Sequence, residues 1–387
     1  MNTMVIVDDE VAFGTFVGKV ATEVGYKVQV TSNAADFHKV VEKTSPSVLV
    51  IDLMMPDTDG IELLRELKDL NSQAKIIMVS GMDSRVVDAS RRFGSELGLS
   101  MAGTFSKPVR VPQLRKLLLE LLPDGTRVTT ESLRKAICES QLFLNYQPKV
   151  DVHSGKMIAV EALVRWRDVS GRVLFPDSFI PLAEKSECIT DLTNWVVDRA
   201  LAQLGEWRRK GIDLKMAVNL SATCIHDRHL PDQLESICRK LDVSPSSIIL
   251  ELTETASQQD FTTLLEVLGR FRIKGFHLSI DDFGTGYSSI SRLLKLPFSE
   301  LKIDKSFVCD MDQQQESAVV SKAIIGLAHN LGLGVVAEGV ENGKALGMLR
   351  EWGCDVFQGY FFSKPVDTEM IELFATKGFP QGSCLKA

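Results

Sequence analysis

The chain has 387 residues, of which 44% are hydrophobic and 25% charged, a composition typical of a globular protein with room for two or three domains. A net charge of −7 argues against a general binder of DNA or of anionic membranes, and no apolar run is long enough to span a bilayer. Seven scattered cysteines, and an N-terminus with no basic segment or cleavage site, predict a reduced cytoplasmic protein without an export signal.

Short apolar runs alternate with amphipathic helical stretches over residues 1–122. The strand-like runs are MVIV, KVQVT, SVLVID, KIIMVS and GTFS, and GIELLRELKDL is typical of the stretches between them. This alternation predicts an α/β domain with a doubly wound parallel sheet of the (βα)5 type. Pro123 and Gly125 then interrupt the pattern, and we expect a short linker over residues 123–129.

Polar side chains follow four of these strand-like runs. They are Asp8 and Asp9, Asp52, Ser80, and Lys107. Because ligands of open α/β sheets collect at the carboxyl ends of the strands, we expect these side chains to converge. Three acids can hold one hard divalent cation, and a lysine with a hydroxyl can bind a phosphoryl group.

The motifs VDDE, IDLMMPDTDG and FSKP resemble the receiver domain of bacterial response regulators. The resemblance implies that Asp52 accepts a phosphoryl group from a sensor histidine kinase and that Phe105 is the switch aromatic. It also implies that Asp8 and Asp9 bind one Mg²⁺, while the serine and lysine named above contact the phosphoryl group. Phosphorylation adds about two negative charges near neutral pH.

Strand-like and helical stretches alternate again over residues 130–387, a length typical of a (β/α)8 TIM-like barrel. In such a barrel the residues that follow the strands lie on the C-terminal face, where active sites are built. The polar residues at these positions are Glu161, Asn219, Glu251, Glu254, Asp281, Asp282, Lys302, Asp304, Glu338, Glu341 and Gln358.

A ring of carboxylates with one amide oxygen suits Mg²⁺ or Mn²⁺ better than zinc. So many converging acids repel one another unless cations lie between them, and two divalent ions resolve that repulsion. The run FHLSIDDFGTG ends in two adjacent acids, which we interpret as a bridging ligand, Asp281, and a ligand of the second ion, Asp282.

The motifs EALVRW, NLS, ELTE, DDFGTGYSS, LKID, AEGVE and QGYFFSKP, in this order over residues 141–365, closely resemble the EAL-domain phosphodiesterases. The resemblance implies hydrolysis of cyclic di-GMP to linear pGpG. The metal ligands that it implies are Glu161, Asn219, Glu251 and Asp281 at one ion, and Asp282 and Glu338 at the second ion or its waters.

The same resemblance implies roles in catalysis. Lys302 orients or helps to deprotonate the attacking water, Glu338 is the competing candidate for the general base, and Glu161 belongs to the catalytic set through its metal. Glu254 anchors the loop DFGTGYSS, which in this family links metal binding to the dimer contact. The residues implied on the substrate side are Gln147 and Arg165, which contact phosphates or bases, and Gln358 and Glu341, which support this shell.

The sequence therefore predicts a response regulator that degrades cyclic di-GMP with two divalent ions, under control of phosphorylation at Asp52. One alternative is a non-hydrolytic sensor of cyclic di-GMP that acts through protein–protein interaction, and another is an interaction or transcriptional output. No GGDEF-type cyclase motif or helix-turn-helix is visible, so we expect breakdown of the signal and no DNA partner. A homo-oligomer is expected because both domain types commonly pair.

Overall fold

The computed structural model describes residues 2–56, 58–81, 84–122, 128–169, 171–253, 261–285 and 294–379. The chain divides into two compact units, one of Met1–Thr129 with Arg167–Phe179 and one of Thr130–Trp166 with Ile180–Ala387. Among the described helices, none combines the length and the apolar character needed to cross a membrane.

The first unit opens with strands and helices in strict alternation. They are β1 (Thr3–Val7), α1 (Val11–Val24), β2 (Lys27–Thr31), α2 (Ala34–Thr44), β3 (Val48–Asp52), α3 (Gly60–Asp69), β4 (Lys75–Ser80), α4 (Ser84–Glu96), β5 (Ser100–Ser106) and α5 (Val111–Glu120). The sheet order is β2-β1-β3-β4-β5, and every pairing is parallel. The predicted doubly wound sheet is confirmed.

Both faces of this sheet are buried, because apolar side chains alternate between two cores. In β1, Val5 and Val7 belong to the core on one face, and Met4 and Ile6 belong to the core on the other. Strands covered on both faces are typically near-continuous apolar runs until they end. Asp8 is therefore the first polar side chain after the apolar part of β1, and it lies at the carboxyl edge of the sheet.

The second unit is built on eight strands that close into a barrel. In chain order they are β6 (Leu142–Asp151), β7 (Met157–Arg167), β9 (Lys215–Asn219), β10 (Ile248–Thr253), β11 (His277–Phe283), β12 (Glu300–Ile303), β13 (Gly334–Ala337) and β14 (Val356–Phe357); the short β8 (Val173–Leu174) follows β7 along the chain. The ring runs β6-β14-β13-β12-β11-β10-β9-β7 and closes through the pairing of β7 with β6.

This closed ring confirms the predicted TIM-like barrel, with one departure from uniform parallel pairing. Strand β6 is antiparallel to both of its neighbours, β14 and β7. Only residues 152–156 connect β6 to β7, and Gly155 takes a φ of 66° in that turn. A connection this short permits a hairpin, whereas parallel strands need a long crossover.

The helices of the second unit precede, separate and follow its strands along the chain. They are α6 (Thr130–Cys138), α7 (Ile180–Glu184), α8 (Cys188–Arg209), α9 (Leu230–Leu241), α10 (Phe261–Ile273), α11 (Lys305–Val308), α12 (Gln315–Asn330), α13 (Gly343–Glu351) and α14 (Thr368–Lys377). α6 begins at Thr130, where the second domain was predicted to start. Residues 123–127 of the predicted linker lie outside the described residues.

The barrel interior differs from the apolar cores because it contains buried charge. Lys149, Glu251 and Lys302 are each 1% exposed, and all three belong to barrel strands. Charged side chains are almost never fully buried unless they are paired. The buried charge therefore marks the interior of the barrel as a candidate functional site.

Candidate functional sites

One ammonium group lies at the centre of four carboxylates inside the barrel. The Nζ of Lys302 is 2.6 Å from Glu338 Oε1, 3.0 Å from Glu251 Oε2, 3.0 Å from Asp281 Oδ1 and 3.6 Å from Glu161 Oε2. Burial alone would lower the pKa of Lys302, but these carboxylates raise it well above its usual value. Lys302 is therefore charged, and the structure brings together five of the residues predicted from the sequence.

The strands explain why these five side chains meet. Glu161 belongs to β7, Glu251 to β10, Asp281 to β11 and Lys302 to β12, and Glu338 directly follows β13. These strands are all parallel. β10, β11, β12 and β13 are consecutive in the ring, and β9 lies between β10 and β7. Their carboxyl ends therefore meet on one face of the barrel, the face that carries active sites in this architecture.

Asp282 reaches the same face through a local irregularity of β11. Successive strand residues normally point to opposite faces, so Asp281 and Asp282 could not otherwise share one centre. The pairing of β11 with β12 slips between Ile280 and Phe283, and Asp282 has a φ of 55°. A bulge with a left-handed residue redirects the side chain, and aspartate tolerates that conformation better than most residues.

The acids of this site form a set that fits a divalent cation. Asp281, Asp282 and Glu338 each offer a carboxylate oxygen, and these oxygens lie within 4.8 Å of one another. Burial raises the pKa of Glu338 to about 8. Burial and the neighbouring charges of Asp281 and Asp304 raise the pKa of Asp282 to about 6. A bound cation would favour the charged forms of these acids, and oxygen donors suit Mg²⁺ or Mn²⁺.

Two amides hold the carboxylate of Glu161. Asn219 Nδ2 donates to Glu161 Oε1 over 2.7 Å, and Gln358 Nε2 donates to Glu161 Oε2 over 2.6 Å. Gln358 Nε2 is also 3.1 Å from Gln147 Oε1, while the buried Gln358 Oε1 has no hydrogen-bond partner among the described residues. Two amides predicted from the sequence therefore bind Glu161, the predicted Gln147 binds one of them, and Gln358 keeps an acceptor that a ligand or water can satisfy.

The other predicted residues of the barrel differ in placement. Arg165 follows Glu161 by four residues in β7 and is 6% exposed, and burial lowers the pKa of its guanidinium. Glu341 is exposed and is not among the four carboxylate partners of Lys302. Asp304 accepts a hydrogen bond from the Ser306 amide and caps α11. The predicted loop anchor, Glu254, lies outside the described residues, as does part of its loop.

A second buried lysine, Lys149, was missed in the sequence. Its Nζ lies 2.5 Å from Glu251 Oε1 and 3.5 Å from Glu300 Oε1. Burial alone would lower the pKa of Lys149, but Glu251 and Glu300 raise it. The sequence did contain an indication of this lysine. Lys149 follows the predicted site residue Gln147 by two residues in β6 and therefore lies on the same face of the strand.

The first unit has its own lysine among carboxylates. Lys107 Nζ lies 2.8 Å from Asp52 Oδ2, 3.0 Å from Asp8 Oδ2 and 2.9 Å from Glu10 Oε1. Burial raises the pKa of Asp8 to about 6, although the hydrogen bond from Lys107 opposes this rise. The carboxylate oxygens of Asp8, Glu10 and Asp52 lie within 4.8 Å of one another, which also fits a hard cation.

Two details of this second site differ from the sequence prediction. Asp9 is exposed and is not part of the cluster of acids, whereas Glu10, which was not predicted, is part of it. Ser80 is fully buried at the end of β4, and Phe105 is partly buried against an adjacent core. Lys107 also lies 4.4 Å from the centroid of the Phe13 ring.

Known families match both units. The EAL domain matches residues 130–365, more than half of the chain, and the response regulator receiver domain matches residues 4–119. The chain belongs to the EAL-domain family. In this EAL-domain protein the matched segment contains every residue of the Lys302 cluster, and the receiver segment contains the Lys107 cluster.

Relatives of this EAL-domain protein include two from Pseudomonas aeruginosa. The cyclic di-GMP phosphodiesterase RocR is 30% identical over 329 residues, which are 82% of this chain and 84% of RocR. The bifunctional diguanylate cyclase/cyclic di-GMP phosphodiesterase MucR is 40% identical over 240 residues, which are 62% of this chain and 35% of MucR. The chain spans less than half the length of the first curated relatives that it matches.

Solved structures share the barrel. The structure of the PaMucR phosphodiesterase in complex with c-di-GMP matches 62% of this chain and 98% of that chain, with 39% identity and a TM-score of 0.60. An EAL-domain protein from Listeria monocytogenes matches 65% of this chain and 98% of that chain, with 29% identity and a TM-score of 0.57.

Proposed function

We propose that this EAL-domain protein is a response regulator that hydrolyses cyclic di-GMP to linear pGpG with two divalent ions, Mg²⁺ or Mn²⁺. The observation that carries the proposal is the convergence of Asp281, Asp282 and Glu338 with Lys302 on one barrel face. The names of RocR and MucR, and the ligand of the PaMucR structure, support cyclic di-GMP as the substrate.

The donor set divides between two cation positions. Glu161, Asn219, Glu251 and Asp281 would hold one ion, and Asp282 and Glu338 would hold the second ion or its waters. Divalent ions bound there would neutralise phosphoryl oxygens and lower the pKa of a water molecule. The chain itself keeps this centre ordered, because Asn219 and Gln358 fix the carboxylate of Glu161 from two sides.

Proton transfer is better assigned to Glu338 than to Lys302. A general base must release and accept a proton near the working pH. The carboxylate of Glu338 lies beside Lys302, and a divalent ion bound there would keep it charged and able to accept a proton, whereas the surrounding carboxylates hold the proton on Lys302. Lys302 then orients the attacking water and balances negative charge, and Glu338 takes up the proton.

The substrate side uses Arg165 and the amides. A buried guanidinium is suited to a phosphate because its donors match the oxygen geometry. Arg165 shares a strand with Glu161, and Gln147 and Gln358 are joined by a hydrogen bond beside the same carboxylate. These three side chains place one phosphodiester and its base next to the acids. We assign Glu341 to an outer supporting role.

The receiver domain provides the control input. A sensor histidine kinase phosphorylates Asp52, and the added negative charge changes the arrangement of Lys107, which already contacts Asp52 and Asp8. Phosphorylation thereby changes the hydrolysis rate. Rates measured with and without a small phosphodonor test this step, with the Asp52→Asn protein as the control, and identical rates contradict it.

The hydrolysis itself is tested with the full chain, cyclic di-GMP and Mg²⁺ or Mn²⁺, with products separated by chromatography. We expect pGpG, its loss on chelation, and no turnover by Glu161→Ala, whereas Glu351→Ala, an exposed glutamate of α13, stays active. Saturable binding without any product at saturating metal would replace this proposal by the non-hydrolytic sensor.

A further inference from the structure

Each oxygen of the Glu251 carboxylate has its own ammonium partner. Oε1 is 2.5 Å from Lys149 Nζ, and Oε2 is 3.0 Å from Lys302 Nζ. The side chain of Glu251 is 0% exposed, so water cannot replace either partner at its oxygens. Charge-assisted hydrogen bonds of this length are strong and directional. The orientation of Glu251 is therefore set by Lys149 on one side and by the catalytic cluster on the other.

Lys149 is itself anchored by a second carboxylate, that of Glu300, at the level of Glu251. Glu251 and Glu300 both lie directly opposite Ser279 in neighbouring strands, and Lys302 follows Glu300 by two residues. Residues two apart in a strand share a face and form successive layers in a barrel. The contact of Lys149 with Glu300 Oε1, at 3.5 Å, thus holds the ammonium at the level of Glu251, one layer below Lys302.

We propose that Lys149 is a positioning residue of the metal centre, which holds Oε1 of Glu251 and thereby directs Oε2, the oxygen beside Lys302, toward a bound cation. The proposal rests on the proposed metal-dependent hydrolysis. Groups that hydrogen-bond to a ligating carboxylate orient it, and their loss typically costs about tenfold to a hundredfold in metal affinity or activity.

Removing Lys149 has two effects on cation binding, and they have opposite signs. The loss of an ammonium removes its repulsion of a divalent ion, which by itself tightens binding. The loss of the anchor leaves a buried carboxylate oxygen without a donor and frees Glu251 to turn, which weakens binding. The direction of the change therefore separates positioning from simple charge repulsion.

The test uses the full chain and measures Mn²⁺ binding by calorimetry without substrate. For Lys149→Met we expect the dissociation constant to rise about tenfold or more, with kcat reduced by a similar factor and KM for cyclic di-GMP nearly unchanged. The matched control is Lys215→Met. Lys215 and Lys149 both lie opposite Ala159 in the strand register, but Lys215 is exposed.

Tighter or unchanged Mn²⁺ binding by Lys149→Met overturns the proposal. If that variant does not fold, Glu300→Gln decides, because it removes the second carboxylate partner of Lys149 while retaining the pair with Glu251. A rise of about twofold to threefold in the dissociation constant then supports the inference, and wild-type affinity overturns it. The binding measurement does not depend on turnover. If the wild-type chain binds Mn²⁺ but hydrolyses nothing, the proposed function is wrong, and the comparison of Mn²⁺ binding by wild type and Lys149→Met still decides the role of Lys149.

Discussion

Asp281 and Asp282 are neighbours in the chain, yet both carboxylates reach one centre because Asp282 adopts a left-handed backbone. Its φ is 55°, its amide donates to Asp281 Oδ1 over 2.9 Å, and the strand slips in register beside it. The strain of this conformation lies at the site itself, where such backbone is often part of function. The bulge thus brings two alternating positions to one centre.

Replacing Asp282 by asparagine should abolish most activity without harming the fold. Asparagine tolerates the left-handed region as well as aspartate does, so only the charge and one oxygen donor are lost. We expect kcat to fall about a hundredfold. Asp242→Asn is the matched control, because Asp242 has the same φ of 55° but is exposed at the end of α9. Comparable loss in both variants would mean that the effect is not specific to the cluster of acids.

Lys302→Met should destabilise the barrel in the absence of metal. Four carboxylates share this ammonium, and removing one partner of a buried ion pair costs about 3–5 kcal/mol in the free energy of unfolding. Mn²⁺ should restore part of this loss, because a cation replaces the missing charge.

Urea unfolding followed by tryptophan fluorescence checks this prediction, since all four tryptophans belong to the second unit. Lys215→Met, which removes an exposed lysine, should leave the transition unchanged. A Lys302→Met barrel as stable as wild type without metal would show that the acids take up protons instead.

Strand ends made the two clusters predictable from the sequence. An acid that follows an apolar run must lie at the carboxyl edge of a parallel sheet, and this rule located Asp52, Glu251 and Asp281. The order of the motifs then identified the receiver and EAL families, which the comparisons confirm. Pattern and motif together were sufficient for the fold and the families, and the structure brings many of the predicted side chains together in each unit.

What the sequence could not supply depends on geometry within a strand or loop. The antiparallel course of β6 follows from a short turn, and strand patterning does not give strand direction. Asp9 and Glu10 are both acids after β1, and only the backbone of that loop decides which one faces Lys107. Lys149 lies within β6, and its partners come from β10 and β12, far away in the sequence.

Gly359→Ala should displace Gln358 from its carboxylate. A Cβ at Gly359 would overlap the backbone of Val340, whose amide donates to the Gln358 carbonyl over 3.1 Å. Overpacking of this kind typically costs about 1–3 kcal/mol, and we expect activity to fall because Gln358 supports Glu161.

Gly347→Ala is the control, since nothing lies within 4 Å of the added Cβ in α13. Alanine there should stabilise the barrel by about 0.5–1 kcal/mol. The same fluorescence measurement compares the free energy of unfolding of the two variants. A Gly359→Ala protein as stable as wild type would mean that the segment after β14 shifts to accommodate the added methyl group without cost.

Binding of Mg²⁺ to the receiver domain should weaken at acidic pH. Burial raises the pKa of Asp8 to about 6, so below that pH a proton occupies the carboxylate that the cation needs. The apparent affinity for Mg²⁺ should be independent of pH above pH 7 and fall by up to about tenfold for each pH unit below 6.

The measurement is the Mg²⁺ concentration that gives half-maximal phosphoryl incorporation at Asp52 from a small phosphodonor. Asp8→Asn should bind Mg²⁺ weakly at every pH and lose this dependence, whereas the exposed Asp36→Asn should keep it. A wild-type profile that stays flat down to pH 5 would mean that another group, such as Glu10, carries the cation.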